Sequence, residues 1–223
     1  MILGVSHFAV RSSNIESDYD ILSTQGWYAE YVDHNVAVQP CERPFLTDQH
    51  PPQQSIMFLR HTSGCPALEL VSPVVCTDVM HRTQLVLPDE SGLGSLTGTI
   101  SVPNLDQGIA LFTKSLGFVS EGSPQAGQAM LSLNRPLKQW STTIILKEEA
   151  DELTPTPTMD CYGWFALGLL SSDLENDALA VATQCKNSIT KPFELRVGGK
   201  IWNVVLCILD YGFAIELMQV KNI

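Results

Sequence analysis

The chain has 223 residues, 44% of them hydrophobic and 17% charged, a composition that excludes a disordered or low-complexity protein and allows a sizeable core. Its formal charge of −11 and isoelectric point near 4.7 leave no stripe of Lys and Arg to neutralise phosphates, so no nucleic-acid partner is expected. No apolar run approaches the roughly 20 residues of a bilayer span, and "MILGVSHFAV" lacks the basic flank of a signal peptide. The expectation is a cytoplasmic protein with no membrane partner.

"GVSHFAVRSSN" (4 to 14) opens the chain as an alternating strand ending in small polar residues suited to capping a helix. "IESDYDILSTQGW" then predicts a short helix stopped at Gly26. "YAEYVDH", "SIMFLRH" and "PALELVSP" follow as three strands, the first two separated by residues 40 to 54. That run holds Pro40, Pro44, Pro51 and Pro52, which predicts neither strand nor helix but a mobile flap.

The same order recurs twice. "LTGTISVPN" (96 to 104) leads into the helix "LDQGIALFTKSLGF", with Ile109, Phe112 and Leu116 on one face and Gly117 at its end, then "VSEG", "QAMLSLN" and "STTIILKE". After the proline-bearing linker "ADELTPTPTMD", "GWFALGLLSSD" (163 to 173) leads into "LENDALAVATQCK", the hairpin signal Gly198-Gly199, "WNVVLCILD" and "YGFAIELMQV". The fold class is therefore α+β, with about three βαβββ modules making curved mixed sheets. Module one spans 1–75, a linker 76–94, module two 95–149 and module three 161–223.

The six cysteines, at 41, 65, 76, 161, 185 and 207, form no CxxC pair and predict reduced thiols. "VGGK" (197 to 200) has the wrong spacing for a phosphate loop and reads as a turn. Two strands carry one acid each in an apolar setting: Glu69 in "PALELVSPV" and Glu216 in "YGFAIELMQV".

"KSLGF" after a strand and helix, together with the ending "ILDYGFAIELMQ", resembles the vicinal oxygen chelate superfamily, which includes glyoxalase I, extradiol dioxygenases and the bleomycin resistance proteins. The resemblance covers most of the chain and implies two modules paired around a cup. It also implies metal ligands from a module's first strand and from its last, usually a Glu. Aligning the modules puts His7 level with Thr99 and Ala166, and Glu69 level with Glu216 and an aliphatic residue near Ile144 or Ile145. The implied set is thus His7, Glu69 and Glu216, with Glu216 as third ligand or catalytic base, around a divalent ion such as Zn, Fe, Mn or Ni.

Modules two and three are expected to pair within the chain. Module one would then be left to a two-fold homodimer that doubles His7 and Glu69 at one point. The rival arrangement pairs modules one and three in a monomer and leaves module two outside. Trp27, Tyr28, Tyr31, Trp140, Trp164 and Trp202 are candidates for the cup lining. His34, His50, His61 and His81 are expected to be solvated.

Two functions follow from the resemblance. One is a metal-dependent lyase, isomerase or dioxygenase acting on a small molecule with vicinal oxygens. The alternative is a metal-free protein that sequesters a small molecule. A structural interaction protein is a third possibility, because an unpaired module leaves an apolar face to cover.

Overall fold

The computed structural model describes residues 1–79, 83–88, 96–133, 142–149, 158–184, 189–209 and 212–221. The expectations placed on His81, Trp140, Cys185 and the linker from 150 to 157 lie outside the described residues.

Module one comprises β1 (Ile2–Arg11), α1 (Ile15–Ser23), β2 (Trp27–Ala37), β3 (Gln53–His61) and β4 (Ala67–Ser72). Asn14 starts α1 by accepting a hydrogen bond from the Ser17 N–H, and Ile15 and Leu22 turn its apolar stripe inward. Gly26, at φ +91°, makes the left-handed exit that a side chain would strain. The expected linker contributes β5 (Cys76–Val79) and β6 (Thr83–Val86). Module two comprises β7 (Thr97–Val102), α2 (Leu105–Ala110) with a wider turn over Leu111–Ser115, β8 (Val119–Ser120), β9 (Gln128–Leu133) and β10 (Thr142–Glu148). Module three repeats the order with β11 (Cys161–Ser171), α3 (Leu174–Gln184), β12 (Phe193–Val197), β13 (Lys200–Ile208) and β14 (Ala214–Val220). The α+β architecture of repeated βαβββ modules in curved mixed sheets is the one the sequence predicts.

The pairing of modules differs from the expectation. β1 runs antiparallel to β11, and the sheet order is β12-β13-β14-β11-β1-β4-β3-β2, so modules one and three share one sheet. Module two makes its own sheet, in the order β6-β7-β10-β9-β8. The physical reason lies at the first strands. β1 and β11, of 10 and 11 residues, offer long matched edges, whereas the edge of the 6-residue β7 is taken by β6 from the expected linker. The surface that suggested a homodimer through module one is covered by module three of the same chain.

Two cores follow from this arrangement. On the convex side, Phe8, Leu167, Leu169, Ile215 and Leu217 pack with α1, α3 and the buried face of module two, including Ile100, Phe112, Ile144 and Leu146. Module two approaches closely there: a Cβ on Gly98 would stand 2.3 Å from the Trp164 ring. On the concave side a second cluster holds Ala9, Ile56, Val71, Ala166, Leu206 and Ala214.

The edges of the large sheet curl toward each other. Asp33 on β2 accepts a 2.6 Å hydrogen bond from the Gly198 N–H at the turn after β12. Residues 40 to 54 contain a 3-10 turn (Arg43–Phe45) and the first two residues of β3, contrary to the expectation of no regular structure, and are tied down at several points. Arg43 donates to the carbonyls of His50 and Pro51, Thr47 donates twice to Asp160, and Met159 N–H donates to the Phe45 carbonyl. The segment is therefore tied to Met159 and Asp160, just before β11, and its Glu42 borders a small cavity beside Glu69 and Glu216.

Candidate metal centre

The register of the shared sheet places the candidate residues. One rung across it reads Tyr31, Phe58, Glu69, Ala9, Ala166 and Ala214. Another reads His7, Gly168, Glu216 and Leu206. Directly paired residues point to the same face, so the two rungs put His7, Glu69 and Glu216 on the concave side with small residues between them. Internal pairing of modules one and three is what brings Glu216, nearly 150 positions along the chain from Glu69, to the same point.

The three side chains meet. His7 Nε2 lies 3.0 Å from Glu69 Oε2 and 3.3 Å from Glu216 Oε2, and one ligand atom from each residue falls within 4.8 Å of the others. All three residues are buried, at 2%, 7% and 9% exposure. Nε2 is enclosed yet has no aligned hydrogen-bond partner despite its short distances to both carboxylates. Both carboxylates thus approach the same ring nitrogen, each within ion-pair distance. The remaining ring nitrogen, Nδ1, lies 3.3 Å from Ser6 Oγ, and Phe58 meets the imidazole edge-on at 5.5 Å.

Burial opposes a charge on His7, but the Glu69 and Glu216 carboxylates outweigh it and raise its pKa to about 10. The two neighbouring carboxylates thus favour the protonated form of the imidazole.

Gly168 makes this geometry possible. A Cβ there would stand 2.3 Å from His7 Cε1 and 2.7 Å from Nε2, so the ring occupies the space that any other residue would fill. The alignment with Ala166 placed the equivalent residue in module three and missed the one facing His7 across the strand pair. A glycine inside the apolar run "FALGLL" is a signal of close approach that could have found it.

These residues fit a divalent ion. At metal–ligand lengths of about 2.0 to 2.2 Å, neighbouring ligand atoms stand about 2.9 to 3.6 Å apart, which matches the two imidazole–carboxylate distances. One imidazole and two carboxylates form a mixed N/O set suited to several transition ions.

The site opens into a cavity of about 350 Å³ whose walls include Tyr31, Phe58 and Trp202. At its rim Arg60 pairs with Glu30 at 2.8 Å, and Lys200 lies 6.0 Å above the Trp202 ring. Of the other candidate aromatics, Trp27 and Trp164 are core residues and Tyr28 is exposed. A smaller cavity of about 40 Å³ lies beside Glu69 and Glu216 and is bounded by Arg11, Glu42 and Gln54. The buried Arg11 donates to the Met159 carbonyl and to Gln54, and burial lowers its pKa to about 10 although Asp160, Glu42 and Glu69 act the other way. Burial likewise raises the Glu42 carboxyl to about 7.

His50 and His61 are buried, which corrects the expectation of solvated rings. His61 Nε2 meets the Gln25 carbonyl at 2.8 Å, and His50 Nδ1 meets the Pro51 carbonyl at 2.9 Å. Cys41 and Cys65 are free thiols.

No family model and no curated protein matches the sequence. Solved structures similar to the chain include glyoxalase I from Zea mays, at 15% identity and TM-score 0.41, covering 98% of this chain and 68% of that one. A bleomycin-binding protein complexed with bleomycin is similar at 17% identity and TM-score 0.37, covering 55% of this chain and 95% of that one. An integron cassette protein from the mobile metagenome of V. cholerae is similar at 18% identity and TM-score 0.38, covering 54% and 90%. Among the described residues no helix is long and apolar enough to cross a membrane.

Proposed function

We propose that this protein is a metal-dependent enzyme acting on a small molecule with vicinal oxygens, with His7, Glu69 and Glu216 holding a divalent ion. The observation that carries this reading is the convergence of His7 Nε2 with both carboxylates over Gly168. An imidazole aimed at a salt bridge alone would align its N–H with one oxygen; here Nε2 is short to two and aligned with neither. A bound ion would supply Lewis acidity, favouring negative charge on ligand oxygens.

The chain's own residues account for the rest. To hold the ion through Nε2, His7 would give up its proton to solvent. Glu216 or Glu69 then offers a free carboxylate oxygen to take a proton from the substrate. Tyr31, Phe58 and Trp202 give the cavity an apolar wall that excludes water and orients a flat ligand. The reaction type expected is lyase, isomerase or dioxygenase.

Elemental analysis of protein purified without chelator tests the reading. The expected outcome is one Zn, Fe, Mn or Ni per chain, lost in His7→Ala and Glu69→Ala. One ion per two chains would contradict a site completed within a single chain. No uptake of any of the four would sink the reading.

A second reading is a metal-free protein that sequesters a small molecule. The ion pairing of His7 with both glutamates favours it, because that arrangement neutralises the buried charges without an added ion. Saturable binding of a hydrophobic dye to protein that takes up no metal would select it.

A further inference from the structure

Tyr31 lies on the same sheet rung as Glu69, one strand beyond Phe58, and faces the cavity that holds the three candidate ligands. Its ring is held by two contacts. It stacks on Phe58 at 5.1 Å with only 7° between planes. It also lies against the backbone of Gly198, where an added Cβ would stand 2.6 Å from the ring. That glycine sits at φ +57°, and its N–H is fixed by Asp33, so the turn from the opposite sheet edge clamps the tyrosine. Such a ring has little freedom. Among the described residues, nothing hydrogen-bonds its hydroxyl.

A rigid ring with an uncommitted hydroxyl beside a ligand cavity is a preorganised donor, and its orientation is fixed before any ligand arrives. We propose that Tyr31 donates a hydrogen bond to an oxygen of the small molecule bound over His7, Glu69 and Glu216, and so selects oxygen-bearing ligands over apolar ones of similar shape. The surroundings keep it a donor. Burial, reinforced by the Glu69 and Glu216 carboxylates, raises the phenol pKa, so the hydroxyl keeps its proton across the ordinary pH range. The discrimination follows from pairing: a ligand without the oxygen leaves the half-buried hydroxyl unsatisfied.

This inference rests on the cavity being the ligand site proposed above. Its test is calorimetric titration of 4-nitrocatechol, which has two vicinal oxygens, and of 1,2,4-trimethylbenzene, which has the same substitution pattern and no oxygen, into wild-type protein and Tyr31→Phe. Both proteins are used metal-loaded and chelator-treated. Phe keeps the stacking on Phe58 and the packing on Gly198, so melting temperature is expected to be unchanged. 4-Nitrocatechol is expected to bind the variant about five- to tenfold more weakly, the range for one neutral hydrogen bond. 1,2,4-Trimethylbenzene affinity should not move.

Equal 4-nitrocatechol affinity in the two proteins would overturn the proposal. So would an equal loss for both probes, which assigns the effect to ring packing, or no saturable binding of either probe. If neither protein takes up metal but the selective loss persists in the chelator-treated pair, the metal reading fails and the Tyr31 assignment stands.

Discussion

Gly168 faces His7 across the antiparallel pair of β1 and β11, and the imidazole lies where a Cβ of residue 168 would be, 2.3 Å from His7 Cε1. The contact ties a backbone choice in module three to the placement of a side chain in module one. His7 also meets Phe58 edge-on at 5.5 Å and borders the cavity, so the cavity is the open direction for a displaced ring.

Gly168→Ala is therefore expected to rotate the imidazole away from both carboxylates. Overpacking of this kind destabilises by about 1–3 kcal/mol. Metal affinity should fall by at least tenfold, read by competition with a chromophoric chelator. Unchanged affinity would mean that the ring position does not govern the site.

Glu216→Gln separates ligand from structural roles. The amide keeps a similar volume and one acceptor, and Glu69 still pairs with His7 at 3.0 Å, so stability should change by about 1–2 kcal/mol. Metal uptake should drop far more. If the variant unfolds while its folded fraction binds metal normally, Glu216 is a structural residue.

The chelator-treated protein should lose stability as pH rises. His7 binds its proton more tightly folded, with a pKa of about 10 against 6.5 unfolded. Its contribution is complete below pH 6.5 and disappears as pH climbs to about 10. Glu42 acts in the same direction at lower pH, because its folded value of about 7 lies above its ordinary 4.5. Denaturant titrations across pH should show both windows, with Glu42→Gln flattening the slope from 4.5 to 7 and His7→Gln the slope from 6.5 to 10. A slope of opposite sign in either window would contradict these assignments.

Metal binding should release a proton and weaken as pH falls, by up to tenfold per unit below about 10, because the ion competes with the His7 proton. Proton release can be followed with an indicator dye in weakly buffered solution. A pH-independent affinity would exclude His7 as a ligand.

Residues 40 to 54 offer a test by limited proteolysis. Thr47 is tied to the fully buried Asp160, and Phe45 to Met159. Asp160→Ala should free the segment and speed chymotryptic cutting next to Phe45 and Leu46. Protection by a cavity ligand in the wild type would support a covering role, and equal cutting rates in the two proteins would show that these bonds do not restrain it.

The sequence by itself determined the elements of the three modules, though not β5 and β6 in the expected linker, and its family resemblance supplied the candidate ligands. Period-2 and helical patterns, the cap at Asn14, and the turns at Gly26 and Gly198-Gly199 are local properties, so three βαβββ modules were legible in the chain order. The isolated acids Glu69 and Glu216 stood out because an apolar strand has no local use for a carboxylate. Tertiary structure alone decided which modules pair. Edge matching between β1 and β11 and the capping of β7 by β6 join positions far apart in the sequence, and no local signal encodes that choice. It also decided what faces what: Gly168 opposite His7, Phe58 against its ring, Tyr31 on Gly198, and His50 and His61 inside rather than in water. Strand register fixes those neighbours, and a shift of one residue would send each of them to the other face of the sheet.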